Sequence, residues 1–244
     1  MRTLVLSDIH ANLVALEAVL KDAAGRWDQI WFLGDLVGYG PNPNECIDRL
    51  RDLEPAVTLS GNHDWAVLDK LSTEEFNNDA RWAVDWTRRQ LTEENHAYLT
   101  GLPPLHIAPP FTMAHASPRH PVWEYILDAQ TAWENFESFA TPICLVGHSH
   151  IPLLFLLNGP LDVPEPYLVT DGDTIEMDRG RMILNPGSVG QPRDGDPRAS
   201  YALLDHEAHI WQLHRVQYDI AETQWQMAQH KMPSRLIERL EYGL

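Results

Sequence analysis

Three times in the first 64 residues a short apolar run breaks off into a polar cluster, and this repeat constrains the fold more than any other feature of the chain. Leu4-Val5-Leu6 leads into Ser7-Asp8-Ile9-His10, Ile30-Trp31-Phe32-Leu33 into Gly34-Asp35, and Val57-Thr58-Leu59 into Gly61-Asn62-His63-Asp64. Between the runs, Leu13 to Ala24 carries Leu13, Leu16, Leu20 and Ala24 near a helical period, and Asn44 to Leu53 reads as the next helix. Strand–helix–strand units of this size predict a parallel sheet with right-handed crossovers. In such sheets ligands gather outside the carboxyl ends of the strands. The three polar clusters are therefore expected to converge on one site.

Residues 65–101 read as helical, notably Asp79 to Leu91 and Glu93 to Leu99. Their aromatics, Trp65, Phe76, Trp82 and Trp86, are expected in the core, unless part of the segment caps the site. From residue 105 the signals are mostly strands. Phe111 to Ala114 runs into His115, and Ile143 to Val146 runs into Gly147-His148-Ser149-His150. Leu153 to Leu157, Tyr167 to Thr170, Thr174 to Met177, Arg181 to Leu184, Tyr201 to Leu204 and Ile210 to Val216 follow. Asn158-Gly159-Pro160, Asp171-Gly172-Asp173 and Arg179-Gly180 are the turns between them. Ile220 to His230 and Ser234 to Leu240 read as terminal helices. No linker divides the chain, so the expectation is one α/β domain over residues 1–244, with two packed sheets and helices outside.

The chain has 12 histidines, and any single one is more often a surface or satisfied core residue than a ligand. Their placement is the informative point. His10, His63, His115, His148 and His150 each follow a short apolar strand in a small-residue turn. Asp8, His10, Asp35, Asn62, His115, His148 and His150 would bring two carboxylates, four imidazoles and one amide oxygen into one cleft. Such a mixed set suits a divalent transition metal, with manganese first among manganese, iron, zinc, cobalt and nickel, better than magnesium or calcium. Seven ligands are too many for one ion and fit two if Asp35 bridges. Two divalent ions against two aspartates leave two positive charges, which match a bridging hydroxide and a phosphodiester monoanion. Metals bring the pKa of bound water towards about 7, and ions about 4 Å apart can hold both attacking and non-bridging oxygens. The leaving alkoxide still needs a proton. His63 is the expected general acid, with Asp64 fixing its tautomer and raising its pKa.

The ordered series Asp8-Ile9-His10, Gly34-Asp35, Gly61-Asn62-His63-Asp64, His115 and Gly147-His148-Ser149-His150 resembles the calcineurin-like metallophosphoesterases, in particular the small single-domain bacterial and archaeal phosphodiesterases. The tail Asn185-Pro186-Gly187-Ser188-Val189-Gly190-Gln191-Pro192-Arg193 resembles the same branch. The resemblance implies a four-layer sandwich, with two mixed β-sheets inside and α-helices outside. It implies that Asp8, His10, Asp35 and His150 bind one metal, that Asp35, Asn62, His115 and His148 bind the other, and that His63 is the catalytic histidine.

Four further positions are candidates for substrate contact. Asn12 could reach a phosphate oxygen or cap the helix that begins at Leu13. Tyr39, in the loop beside Asp35, could touch substrate or merely pack. Arg193 and Arg119 could bind phosphate through their planar forks or be solvated charges. Gly38-Tyr39-Gly40 runs into prolines and is no dinucleotide fingerprint. Ser149 lacks the last glycine of a nucleophile elbow.

Composition bounds the partners. A net charge of −17 argues against nucleic-acid binding through a basic surface, but it does not exclude a small phosphate ester held by bound cations. Cys46 and Cys144 form no pairing pattern. No run approaches roughly 18 apolar residues, so no membrane span is expected, and a reducing cytoplasm is the simplest location. Three readings stay open: a phosphodiesterase; a phosphomonoesterase or nucleotide pyrophosphohydrolase on the same site; and a non-catalytic scaffold. Oligomeric state is open.

Overall fold

The computed structural model describes residues 1–159 and 162–244, so the turn expected at Asn158-Gly159-Pro160 lies partly outside the described residues. Twelve strands form two six-stranded sheets. The first sheet is built on β1 (Arg2–Leu6), β2 (Gln29–Phe32) and β3 (Val57–Thr58), which pair in parallel as the repeat predicts. On its other side β11 (Ala199–Asp205), β12 (Ile210–Val216) and β9 (Thr174–Glu176) add antiparallel strands, giving the order β3-β2-β1-β11-β12-β9. The second sheet runs β4-β5-β6-β10-β7-β8. In it β5 (Phe111–Ala114), β6 (Ile143–Leu145) and β10 (Arg181–Pro186) are parallel. The edge strands β4 (Leu105–Ala108) and β8 (Tyr167–Leu168), and β7 (Pro152–Leu157) inside β8, pair antiparallel with their neighbours.

Side chains that alternate along each strand sort the core into layers. Val5, Trp31, Leu33, Met113, Leu145 and Leu184 fill the space between the sheets with Trp211 and Leu213. Leu4, Leu6, Ile30 and Phe32 point the other way, onto α1 (Leu13–Asp22), α2 (Pro43–Asp52), α4 (Asn78–Gln90) and the C-terminal helices α7 (Ile220–Gln229) and α8 (Ser234–Tyr242). Cys144, Phe155 and Ile183 face α6 (Ala129–Phe136), whose Ala132 and Phe136 cover the outer side of the second sheet. Each such apolar side chain contributes roughly 1.5–3 kcal/mol on burial. The result is the expected four-layer α/β sandwich, with a thinner helical layer over the second sheet.

Two local differences have physical causes. Helix α6 is an addition to the expected elements, although Ala129, Ala132, Trp133 and Phe136 recur at a helical period. It starts where Asp128 caps it, accepting from the Thr131 N–H at 2.9 Å. Helix α3 (Asn62–Val67) begins inside the polar cluster rather than after it, because the Asp64 carboxylate accepts from the Gly61 N–H at 2.9 Å and closes the first turn. The short α5 (Glu93–Thr100) follows α4 as predicted. Trp82 and Trp86 stack on each other, and Trp86 and Phe76 are buried in the helical layer. No helix among the described residues is long and apolar enough to cross a membrane.

Candidate metal centre

The loops after β1, β2, β5 and β6 meet at one end of the sandwich and are stitched together by backbone. Asp8 N–H donates to Gly34 O at 3.0 Å, His10 N–H to Asp35 O at 3.0 Å, and Gly147 N–H to His115 O at 2.7 Å. Asp8, His10, Asp35, Tyr39, His148 and His150 all adopt left-handed backbone, with φ between 48° and 64°. For residues other than glycine that conformation costs on the order of 1–3 kcal/mol each and concentrates at functional sites. Here it turns the side chains back into the cleft. The glycines beside them allow close approach. A Cβ on Gly147 would lie 2.0 Å from Ser7 Oγ, and one on Gly61 would lie 2.0 Å from Asp35 Oδ1.

The predicted side chains come together in two overlapping groups, Asp8-His10-Asp35-His150 and Asp35-His115-His148. Within each group one ligand atom per residue lies within 4.8 Å of the others. Asn62 joins the second, its Oδ1 lying 3.3 Å from His115 Nε2. All seven residues are buried.

The hydrogen bonds around these groups are one-sided. Asp8 Oδ2 accepts from Ser7 Oγ at 2.6 Å and from His148 N–H at 3.1 Å, while Oδ1 has no hydrogen-bond partner and faces His150 Nε2 at 3.3 Å. Asp35 Oδ1 accepts from His63 N–H at 2.9 Å, while Oδ2 has no partner and lies 3.4 Å from His115 Nε2 and 3.6 Å from His10 Nε2. His10, His115 and His150 turn Nδ1 to the carbonyls of Val37, Leu33 and Gln191 at 3.1, 2.9 and 2.5 Å. With Nδ1 donating, each Nε2 carries a lone pair, the arrangement usual for ligating histidine. His10 Nε2 and His150 Nε2 then meet lone pair to lone pair at 3.0 Å. Orphaned carboxylate oxygens facing unprotonated nitrogens fit divalent cations and fit little else. Burial drives the His10 imidazole well below its ordinary value and His148 down to about 3, which keeps both as neutral donors. For His115 burial acts the same way, but the Asp35 charge outweighs it and raises the imidazole to about 9, so a cation bound at Nε2 would take the place of a proton there.

His63 lies against this centre, with ring centroids 5.0 Å from His10 and 4.3 Å from Tyr39. Its Nδ1 is turned in beside Gly38 and has no partner, so Nε2 is left to face the cleft. The expected Asp64–His63 couple is not formed. The Asp64 carboxylate is taken up by four backbone N–H groups, those of Asp35, Leu36, Val37 and Gly61, at 2.9–3.1 Å. Asp64 therefore holds the loop that carries Asp35. His63, without it, is lowered by burial to about 4 rather than raised.

The four weaker positions divide. Asn12 caps α1, accepting from Ala15 N–H at 3.1 Å and from Thr223 Oγ1 at 3.1 Å, and its amide donates to Gly190 O at 2.9 Å. That leaves no group of Asn12 for a phosphate. Arg119 is tied to Glu124 and Glu134, so its fork is already filled by carboxylates. Tyr39 and Arg193 do border the centre. The Tyr39 ring packs on His10 at 4.8 Å, and the Arg193 guanidinium lies 5.6 Å from the Tyr39 ring centroid.

Two sets of residues were not foreseen. Ser188 Oγ donates to Asp8 O at 2.8 Å, Asn185 Nδ2 to Gly147 O at 2.6 Å, and Gln191 O receives His150. The Asn185–Gln191 tail thus clamps the loops that carry Asp8, His148 and His150; its dense Gly, Ser and Asn content was the available signal. The second set is an aromatic rim. Tyr125 stacks on His148 at 4.0 Å, Trp123 O accepts from His148 Nε2 at 3.3 Å, and Phe76 packs between Trp123 and His63 at 5.5 and 5.1 Å. Phe76 is thus both core and a ring packed against His63.

A model of the calcineurin-like phosphoesterase superfamily domain matches residues 1–209. An uncharacterised protein of Methanocaldococcus jannaschii is 39% identical over 245 residues, 98% of this chain and 97% of that one. The crystal structure of a metallophosphoesterase from Sphaerobacter thermophilus is 52% identical and superposes with a TM-score of 0.92, over 100% of this chain and 99% of that one. A symmetrical bis(5'-nucleosyl)-tetraphosphatase of Serratia proteamaculans is 31% identical over 105 residues, 37% of each chain.

Proposed function

The chain belongs to the calcineurin-like phosphoesterase superfamily, and we propose that it is a metal-dependent phosphodiesterase, with one metallophosphoesterase unit spanning residues 1–244. Asp8, His10, Asp35 and His150 would hold one divalent ion, and Asp35, Asn62, His115 and His148 a second. The observation that carries this reading is the pair of buried carboxylates, each anchored through one oxygen and bare at the other, facing Nε2 atoms whose rings are already tied at Nδ1. Manganese heads the fitting metals, with iron, zinc, cobalt and nickel also suited to mixed nitrogen and carboxylate donors. Two such ions would supply a water acidic enough to ionise near neutral pH and a positive field for phosphoryl oxygens.

The chain's own residues do the rest. Arg193 and Tyr39 stand at the edge of the centre, where they would contact the phosphate groups of the substrate. As the phosphorus–oxygen bond to the leaving group breaks, the departing oxygen takes a proton from His63 Nε2. Burial keeps His63 neutral in the resting site; the approach of an anionic phosphate favours its protonated form. Two buried free thiols, Cys46 and Cys144, suit a reducing cytoplasm.

The test is turnover of bis(4-nitrophenyl) phosphate against 4-nitrophenyl phosphate by protein loaded separately with each of the five metals. Faster hydrolysis of the diester is expected, and no turnover with any metal overturns the reading. His63→Ala should keep its metal and lose roughly 10²–10⁴ in rate on an alkyl diester. The loss should be smaller on the nitrophenyl diester, whose leaving group needs no proton. A second reading, hydrolysis of a nucleotide with phosphoanhydride links, is favoured by the similarity to the tetraphosphatase; preference for such a substrate over the diester decides for it.

A further inference from the structure

We propose that the cleft between the metal centre and helix α8 is a second-anion subsite, in which Arg193, Arg235 and Arg239 bind a further phosphate group of the substrate beyond the one being cleaved. The proposal rests on the phosphoesterase reading above and narrows its substrate class to esters that carry more than one phosphate.

The cleft is a cavity of about 410 Å³. Tyr39, Tyr125 and Arg193 form its inner wall, and Arg235, Arg239 and Tyr242 of α8 its outer one. The inner wall is shared with the centre. Tyr39 packs on His10 and His63, Tyr125 stacks on His148, and the Arg193 N–H donates to His150 O at 3.3 Å. The rings of Tyr39 and Tyr125 thus stand between the metal ligands and this cavity.

The charges single it out. The protein carries a net charge of −17, and eight of its arginines, Arg26, Arg49, Arg51, Arg88, Arg119, Arg179, Arg198 and Arg215, have a carboxylate within 4.0 Å. Among the described residues none of Arg193, Arg235 and Arg239 has an Asp or Glu carboxylate that close, although Asp79, Glu238 and Leu244 also line the cavity. Arg193 donates to the neutral Gln191 Oε1 at 2.8 Å, and its buried Nε has no partner. Arg239 spends Nε on Leu244 O and keeps its two NH₂ groups. Burial and the nearby Arg193 push Arg239 down to about 10, which records crowding of like charges around a partly desolvated space. A phosphate would remove that repulsion and fill three planar forks, the geometry in which arginine binds phosphate best. The outer wall lies beyond residue 209, where the match to the superfamily domain ends.

The experiment compares kcat/KM for a dinucleoside tetraphosphate with kcat/KM for bis(4-nitrophenyl) phosphate, in the wild-type protein and in Arg235→Gln, Arg239→Gln and the double variant. The ratio should fall at least about tenfold in the double variant, through KM, and Arg239→Lys should restore part of it. Calorimetry of inorganic tripolyphosphate with chelator-treated protein gives a readout free of turnover. Its affinity should fall by a similar factor, and single phosphate should bind more weakly than tripolyphosphate. Arg235 is exposed, so Arg235→Gln keeps the test alive should Arg239→Gln misfold. An unchanged ratio together with unchanged tripolyphosphate binding overturns the subsite. Failure of the wild type to cleave either ester overturns the phosphoesterase reading instead, and calorimetry still judges the subsite.

Discussion

The two halves of the proposed metal centre share Asp35 but are held in different ways. In the first half, Asp8, His10 and His150 stand on left-handed turns locked by backbone hydrogen bonds and by the Asn185–Gln191 clamp. Both imidazoles offer Nε2 and are tied at Nδ1 to carbonyls. In the second half His115 follows that rule, but His148 reverses it. Its Nε2 is tied to Trp123 O, its ring lies on Tyr125, and Nδ1 is left for the cluster. Trp123 and Tyr125 belong to the segment between β5 and α6, which is neither strand nor α-helix and leaves both rings substantially exposed. One half is therefore fixed by the sheets, and the other leans on a surface loop. Binding of the two ions should differ in firmness, and substrate that touches the rim should affect the second more than the first.

The largest effect is expected at the residue the halves share. Asp35→Asn removes the bare oxygen that faces both His10 and His115. Metal content should drop in both halves, and kcat/KM should fall by on the order of a thousandfold, since each ion is worth several kcal/mol of transition-state charge stabilisation. Asp8→Asn should empty the first half alone. Elemental analysis of purified variants separates the cases, and Asp35→Asn protein with two ions per chain would break the comparison. A smaller effect is expected at Asp64. Asn there keeps the volume but sets an NH₂ against backbone N–H donors, at a cost of about 1–3 kcal/mol in stability by urea titration, with both halves weakened together. Should Asp64 act on His63 instead, the rate would fall with stability unchanged.

The ligands of both halves were legible in the sequence, whereas the loop that supports the soft half was not. Asp8, His10, Asp35, Asn62, His115, His148 and His150 each sit a residue or a few past a short apolar strand, so local pattern and site coincide. The sandwich followed from the same alternation, because parallel β1-β2-β3 and β5-β6-β10 need buried, apolar strands. What stayed hidden depends on contacts distant in sequence. Asp64 looks like a partner for its neighbour His63, yet it bonds to backbone nearly thirty residues earlier, at Asp35 to Val37. Arg119 resembles a phosphate ligand until Glu124 and Glu134 fold onto it. Tyr125 and Trp123 lie in a segment with no periodicity to read, and the α8 arginines look like a solvated helix face until the helix packs beside Tyr39 and Arg193.

The mildest substitution tests the soft half most directly. Tyr125 is half exposed, so Tyr125→Ala should change global stability little. It removes the ring on which His148 rests, while the Trp123 carbonyl that orients His148 Nε2 belongs to a neighbouring residue and remains. Loss of an outer support of this kind typically costs about 10–100-fold in metal affinity, and the lower figure applies because one of the two supports is kept. Chelator competition should then show two phases of metal release. The weaker phase should shift about tenfold in Tyr125→Ala, while the tighter one, belonging to Asp8, His10 and His150, should stay where it is. Equal shifts in both phases would mean that Asp35 couples the halves so tightly that neither is held independently, and a single phase in the wild type would remove the distinction between a sheet-fixed and a loop-fixed ion.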